Sequence, residues 1–473
     1  MNGEDLPPGW CQARIGDLVE LAPKTHEADN LEAGFVPLQR LGVTYRGRHT
    51  FEPRPWGEIK KAYTHFQNGD VLLARITPSF ENGKAGIARD LPNGIGAGSS
   101  EYFVCRPYGG AVLPEFLLAY FKTRDFLRDG EQVMSGAVGQ QRVPKQFVLE
   151  RKIPFAPLNE QKRIADKLDA LLARVDACRE RLDRIPGILK RFRQSVLAAA
   201  TSGELTADWR EERGLEMDWV PSTVKDIADV GTGSTPLRSN AELYAPSGVP
   251  WVTSAATSEP FVYSAREFVT DEAVRSHRLR KYPVGTLLVA MYGEGKTRGQ
   301  VSELAIEATI NQACAAIQPE PSRVETGFLK LVLQANYLEM RELAEGGNQP
   351  NLNLSKIKNF PLLLPSTEEQ REVCLRAHKL LGTLDRTESA YTRGFRHASE
   401  IIAASLAKAF RGELVEQDPN DEPASVLLER IRAGRAAETN AGRTGKRNGR
   451  RFEVLDEVDA PDPAVAEAAV GEG

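Results

Sequence analysis

The sequence predicts an α+β protein built from two similar domains, separated by two long helices that form an antiparallel coiled coil and related by a pseudo-two-fold internal repeat. Three observations carry this. The chain repeats itself with a shift of 209 residues: Trp10, Asp17, Gln161 and Gly203-Glu204-Leu205 return as Trp219, Asp226, Gln370 and Gly412-Glu413-Leu414. A solenoid unit spans roughly 20 to 50 residues, so this period is a whole domain plus a helix, present twice. Within each copy, short apolar runs bounded by Gly, Pro, Asn and Ser read as strands and turns. After each copy, apolar residues fall at alternating spacings of four and three, the seam of a coiled coil.

Each copy opens on its tryptophan: Trp10-Cys11-Gln12-Ala13-Arg14-Ile15 and Trp219-Val220-Pro221-Ser222-Thr223-Val224. Strands are predicted at Val71-Leu72-Leu73-Ala74, Tyr102-Phe103-Val104, Leu287-Leu288-Val289-Ala290 and Ala315-Ala316-Ile317, with helices over residues 114–123 and 324–345. Each domain closes on a proline-bracketed strand, Ile153-Pro154-Phe155-Ala156-Pro157 and Phe360-Pro361-Leu362-Leu363-Leu364-Pro365, where proline disallows helix until the next residues start one.

The first long helix takes Asn159 as its N-cap. Its seam runs through Ile164, Leu168, Leu171, Val175, Cys178, Leu182, Ile185, Leu189, Phe192, Val196 and Ala199. The second follows Val373, Ala377, Leu380, Leu384 and Tyr391, then slips toward Phe395, Ile402, Leu406 and Phe410 as a stutter does. Pro186-Gly187 and Gly394 predict a kink in each. The equal spans from Gln161 to Gly203 and from Gln370 to Gly412 make rods of roughly 60 Å. A domain-helix-domain-helix order makes their pairing antiparallel and puts the domains at opposite ends. A short amphipathic helix is expected over residues 425–433. The remaining tail, basic from Arg443 to Arg451 and acidic from Glu453 onward, has too little apolar content to pack and is expected to be disordered.

Composition narrows the function. At 473 residues, 41% hydrophobic and 27% charged, this is an ordinary globular chain with room for about three domains. No run approaches the roughly 20 apolar residues of a membrane helix, and the acidic start lacks the basic region of a signal peptide, so no membrane partner is expected and the location is read as cytoplasmic. Five dispersed cysteines and six dispersed histidines offer no metal or redox spacing. The net charge of −4 argues mildly against nucleic acid, but its distribution argues for it. Residues 40–90 hold nine basic groups against five acidic ones, and residues 275–298 hold six against Glu294 alone. Two basic segments at like places in two copies point to a polyanion.

Taken in order, these pieces resemble the specificity subunit of type I restriction-modification systems. The resemblance runs from Leu6 to Ala433. It rests on the Trp10 and Trp219 entries, Gly69-Asp70-Val71-Leu72-Leu73-Ala74-Arg75, Val284-Gly285-Thr286-Leu287-Leu288-Val289-Ala290-Met291-Tyr292-Gly293 and Asn311-Gln312-Ala313-Cys314. The helix starts Pro157-Leu158-Asn159-Glu160-Gln161 and Pro365-Ser366-Thr367-Glu368-Glu369-Gln370, with Phe192-Arg193-Gln194-Ser195-Val196-Leu197 and Phe410-Arg411-Gly412-Glu413-Leu414-Val415, complete it. The resemblance implies a non-catalytic chain with no cofactor. Its two similar target recognition domains would each read half of a split sequence in double-stranded DNA. The helices would dock methyltransferase subunits, two per complex, and restriction/translocase subunits would join them. On this reading the recognition domains are residues 1–157 and 212–365, the helices with their linkers 158–211 and 366–414, the short helix segment 415–440 and the disordered tail 441–473. A specificity subunit of a methyltransferase-only or other restriction-type complex is the near alternative, and a coiled-coil protein scaffold or a phosphate-loop nucleotidase the distant one.

One enzyme motif competes. Ala290-Met291-Tyr292-Gly293-Glu294-Gly295-Lys296-Thr297 follows a strand and satisfies a relaxed phosphate-loop pattern, which needs a helix starting at Lys-Thr. Arg298-Gly299-Gln300-Val301 follows instead, without helical period, and the matching stretch around Lys84 has lost the pattern; these lysines suit DNA phosphates better than a nucleotide. No constellation for methyl transfer or metal hydrolysis accompanies it. The DNA-contact candidates are polar and basic residues on loops: Arg75, Lys84, Ser99, Ser100, Gln140, Gln141 and Arg142 in the first copy, and Tyr292, Lys296, Thr297, Arg298, Asn311, Gln312, Asn348, Gln349 and Asn351 in the second. Arg, Asn and Gln make bidentate base contacts, and Lys, Ser, Thr and Tyr often take phosphates.

Overall fold

The computed structural model describes residues 6–292, 297–342 and 352–437. The chain divides into two compact units, one of residues 1–181 with 395–473 and one of residues 182–394.

In the first unit Val71–Ala74 lies between Tyr102–Pro107 and Ala85–Ile87 in an antiparallel sheet with Val19–Leu21 at its far edge. Its four residues are buried without alternation, which is why the sequence shows a continuous apolar run rather than a period of two. A second sheet orders Glu52–Pro55, Glu32–Val36, Ile95–Gly98 and Thr64–Gln67, its two middle strands parallel. The second unit repeats the plan. Leu287–Ala290 lies between Cys314–Pro319 and Val301–Leu304, and a four-stranded sheet stands beside it. The entry strands pair with the exit strands in the same register, Cys11 opposite Phe155 and Val220 opposite Leu364, again 209 apart. The helix expected over 324–345 begins at Thr326 and breaks at Asn336, giving Thr326–Ala335 and Tyr337–Glu342. Asn336 turns its side chain back to the carbonyl of Val332 at 2.9 Å.

The repeated Glu-Gln pair, Glu160-Gln161 and Glu369-Gln370, is a lock. In the first unit the Trp10 indole donates to Glu160 at 2.8 Å, and Gln417 donates to the other carboxylate oxygen at 2.6 Å. Gln161 accepts from the Leu113 amide at 3.0 Å and donates to the Ala156 carbonyl at 2.9 Å. In the second unit Trp219 donates to Glu369 at 3.0 Å, and Gln370 accepts from the Glu325 amide at 2.8 Å and donates to the Pro365 carbonyl at 2.9 Å. Here the other carboxylate oxygen takes Thr206 at 2.7 Å and forms a buried ion pair with Arg210. Each motif thus ties domain entry, exit strand and helix start together through side chains that would be costly to bury unpaired.

The long helices pair antiparallel within each unit. In the first, Ile164 and Leu168 share a core with Leu406, Ala409 and Phe410, while Arg179 donates to Ser399 at 2.6 Å. In the second, Val196 and Ala200 pack with Val373 and Ala377, while Arg193 reaches Asp385 at 2.9 Å. Several local expectations are corrected. Asn159 is not the N-cap: the helix Leu158–Asp183 already includes it, and the Pro157 carbonyl accepts the Gln161 amide. The matching helix is capped by Ser366, whose hydroxyl accepts the Glu369 amide at 3.2 Å. The kink expected at Pro186-Gly187 is present: the first helix breaks at Arg184, before Ile185–Ser202, because Pro186 in the new first turn has no N–H for the Leu182 carbonyl. Thr367–Phe410 runs unbroken through Gly394, since glycine keeps its donor. Cys178, Phe192 and Phe395 are exposed rather than in the seam, and Leu172, Ala200 and Ala398 are buried beside it.

The expected short helix spans residues 424–437 and belongs to the core of the first unit through Ala424, Leu427, Leu428 and Ile431. Arg432 pairs with Asp17 at 2.7 Å, and Arg435 donates to the Val19 carbonyl at 2.6 Å. The expected disordered tail, residues 441–473, lies outside the described residues.

Candidate nucleic-acid interface

Both units converge three segments on one hub: the residue after the central strand, the turn before the next core strand, and the residue two before a short helix, Lys145–Glu150 in the first unit and Leu354–Lys358 in the second. In the first unit the Arg75 amide donates to the Glu101 carbonyl at 3.0 Å and the Val143 amide to the Arg75 carbonyl at 2.8 Å. In the second the Met291 amide donates to the Ala313 carbonyl at 2.8 Å and the Leu352 amide to the Met291 carbonyl at 3.1 Å. The turns match as well. Ser99 accepts the Glu101 amide at 3.1 Å, and Asn311 accepts the Ala313 amide at 3.2 Å. Ser99-Ser100 and Asn311-Gln312 are therefore structural counterparts, and Val143 and Leu352 hold the same place on the two frames.

The side chains on this shared frame differ. In the first unit Arg142 lays its guanidinium on the Glu101 carboxylate through contacts of 2.7 to 3.1 Å, the strong bidentate form. Arg75 stands 3.6 Å from the same carboxylate with its guanidinium over the Phe103 ring. The amide and hydroxyl of Thr77 donate to the Gln141 carbonyl at 2.9 and 3.1 Å, and Ser100 and Gln140 are exposed. Lys84 stands apart from this cluster, its ammonium on the Leu38 carbonyl at 3.0 Å. In the second unit Gln312 is exposed and accepts from Thr235, and Tyr292 is exposed. Thr297 and Arg298 are half-buried at the foot of the loop, where the Arg298 carbonyl accepts from Arg341 at 3.2 Å. Lys296, Asn348, Gln349 and Asn351 lie outside the described residues.

The phosphate-loop pattern does not have its fold. Leu287–Ala290 returns antiparallel as Val301–Leu304, and the Gly299 amide closes on the Ala290 carbonyl at 2.8 Å. A hairpin follows the strand where a nucleotide site would need a helix N-terminus. Among the described residues no cluster of His, Cys, Asp and Glu is arranged for a metal, and no helix is long and apolar enough to cross a membrane.

Residue counts overstate the basic segments. Arg40 and Arg54 pair with Glu52, each at 2.7 Å, Arg46 with Asp169 at 2.8 Å, and Arg280 with Asp229 at 2.8 Å. Glu101 was absent from the sequence candidates, because a lone carboxylate carries no motif; its place, two residues after Ser99 and next to a core strand, was the available signal. Lys122 is half-buried and donates to the carbonyls of Val43, Gly83 and Ala85 at 2.5 to 2.8 Å, contacts that no motif announced, and desolvation pushes its pKa down to about 7.

The frame is a known one. The family described as type I restriction modification DNA specificity domain matches residues 7–186 and 216–388, more than half of the chain, and the chain belongs to that family. It is 27% identical to the EcoKI specificity subunit of Escherichia coli K12 and 26% identical to the StySPI specificity subunit of Salmonella potsdam, covering 92% of this chain in both cases and 98% and 97% of those relatives. The EcoAI specificity subunit of Escherichia coli is 37% identical, but over 43% of this chain and 36% of its own length. Among solved structures, the HsdS subunit from Thermoanaerobacter tengcongensis matches with TM-score 0.58 at 20% identity, covering 86% of this chain and 98% of that one. A chain from a structural study of type I R-M complex assembly and conformational transition matches with TM-score 0.70 at 20% identity, covering 86% and 99%. The chain is a type I restriction-modification specificity subunit with two domains of mixed helix and strand.

Proposed function

We propose that each unit reads one half of a split sequence in double-stranded DNA, and that the helices dock methyltransferase subunits, two per complex, with restriction/translocase subunits joining the assembly in the cytoplasm. The chain itself performs no catalysis; methylation and cleavage belong to its partners. One observation carries this reading. The two hubs share their backbone hydrogen bonds, Arg75–Glu101–Val143 and Met291–Ala313–Leu352, yet present an arginine-carboxylate pair in one and a carboxamide-rich turn in the other. Conserving the frame while exchanging its polar side chains is what two readers of different base sequences require.

The test is to map methylated positions in a genome carrying this gene with its methyltransferase partner, before and after deleting the gene. A split motif that vanishes with the gene is the expected outcome. Unchanged methylation, together with duplex binding that shows no salt dependence, would favour a protein scaffold, because phosphate contacts release counterions and steepen that dependence.

A further inference from the structure

Residues 135–142 of the first unit form a closed hairpin. The Ser135 amide donates to the Arg142 carbonyl at 3.1 Å, the Arg142 amide to the Ser135 carbonyl at 2.8 Å, and the Gln140 amide to the Ala137 carbonyl at 2.9 Å. Gly139 at φ +80° follows Val138 in the pattern of a type II turn, which needs a positive φ at its third position. The Val138 side chain is thereby held at the tip, 98% exposed. A scattered surface valine needs no explanation. This one stands on a stem fixed from below, by the fork of Arg142 on Glu101 and the double bond of Thr77 to the Gln141 carbonyl. Between Val133 and Val143 the sequence holds Arg142 as its one charged residue and no carboxylate.

We propose that this hairpin is the finger by which the first unit enters a DNA groove, with Val138 making an apolar contact at base level while the exposed Gln140 flanks it with a polar group and Arg142 holds the stem on Glu101. The inference rests on the reading of this unit as the reader of one half-site. A tip without carboxylates, flanked by Gln140, meets no repulsion from the phosphates at the groove rim. Inside the groove, thymine methyls and partly opened base steps are the apolar surfaces that such a tip meets. A stem already ordered in the free chain lowers the entropic cost of insertion.

The test uses the complex of the full chain with its methyltransferase partner, with Val138→Ala and Val138→Asp. Because the side chain is exposed, both variants should melt as the parent does. Binding is measured on the mapped site and on the same duplex with the first unit's half scrambled, at several salt concentrations. Val138→Ala should lose about 5- to 30-fold on the intact site and almost nothing on the scrambled one, with an unchanged salt slope, since an apolar contact releases no counterions. Val138→Asp should lose more. Binding of both variants within twofold of the parent overturns the finger but leaves the half-site reading standing. A loss equal on both duplexes with a flatter salt slope also overturns it, as a backbone contact. If the parent complex itself fails to distinguish the two duplexes, the half-site reading fails and the finger with it.

Discussion

Glu160 and Glu369 occupy the same place in the two locks but stabilise them differently. Burial pushes the Glu160 carboxyl above its usual range, against the hydrogen bonds from Trp10 and Gln417. Glu369 faces the buried Arg210 instead. Glu369→Ala should therefore cost the second unit about 3–5 kcal/mol, because a buried guanidinium is left uncompensated. Glu160→Ala should cost the first about 1–3 kcal/mol, the penalty of neutral donors left unmet. Urea titration followed by amide exchange, which resolves the two units, checks the order; equal losses would contradict it. His65 gives the first unit a pH dependence. Its Nδ1 accepts the Thr25 amide at 3.2 Å and its Nε2 lies 2.6 Å from the Lys60 carbonyl, so the neutral ring with hydrogen on Nε2 fits. Burial holds its folded pKa below the ordinary 6.5, so below that pH the unfolded chain binds the proton more readily. Stability from this group is full above pH 6.5, falls as pH drops from there, and levels out below the folded value. His65→Gln should flatten that slope in melting temperature against pH. Most candidate polar residues of the hubs were legible, because serine, glutamine and asparagine cluster at fixed distances from Pro107, Pro319 and the exit strands. Glu101 and Lys122 were not, since their partners come from segments 41 and 37 or more residues away.

At the scale of elements, the long helices show what spacing can and cannot predict. Their existence and extent followed from the apolar period, and Thr367–Phe410 spans 44 residues, about 66 Å. The buried positions drifted by one residue at Leu172 and Ala200 because a straight helix of 3.6 residues per turn leaves a 3.5-residue seam. Gly382 lies inside this helix with nothing within 4 Å of where a Cβ would stand. Gly382→Ala should stabilise the second unit by about 0.5–1 kcal/mol, read as a raised urea midpoint with unchanged slope. If the helices also set the gap between half-sites, one heptad inserted after Ala173 and one after Gly382 should lengthen the preferred gap by a few base pairs. The half-sequences should stay the same in the methylation map. A change in the half-sequences themselves would refute the spacer role.

For the molecule as a whole, the proposal predicts modular reading. Exchanging residues 212–365 for the equivalent segment of a relative should change one half of the mapped motif and leave the other, since each unit carries its own lock, sheets and hub. A hybrid that folds and changes both halves would overturn the modular reading. At a net charge of −4, with many of its arginines already paired, the lone chain has few phosphate-neutralising groups. Its duplex binding should be weak and steeply salt-dependent, becoming sequence-specific only when methyltransferase subunits are added. Titrations with and without the partner at three salt concentrations check this.

The sequence by itself determined the duplication, the two α+β domains, the long helices and the family, because a repeat, an apolar period and an ordered set of motifs are properties of the chain read linearly. Only the tertiary structure decided what the motifs are for. The Glu-Gln helix starts lock an indole 150 residues away, the strand before the phosphate-loop pattern returns antiparallel, and much of the basic segments' charge is spent on internal pairs. It also decided that residues 424–437 complete the core of the first unit and that Arg142 lies on Glu101. The reason is physical. Whether a charge meets solvent, DNA or a carboxylate depends on which distant segment folds against it, and neither composition nor spacing records that neighbour.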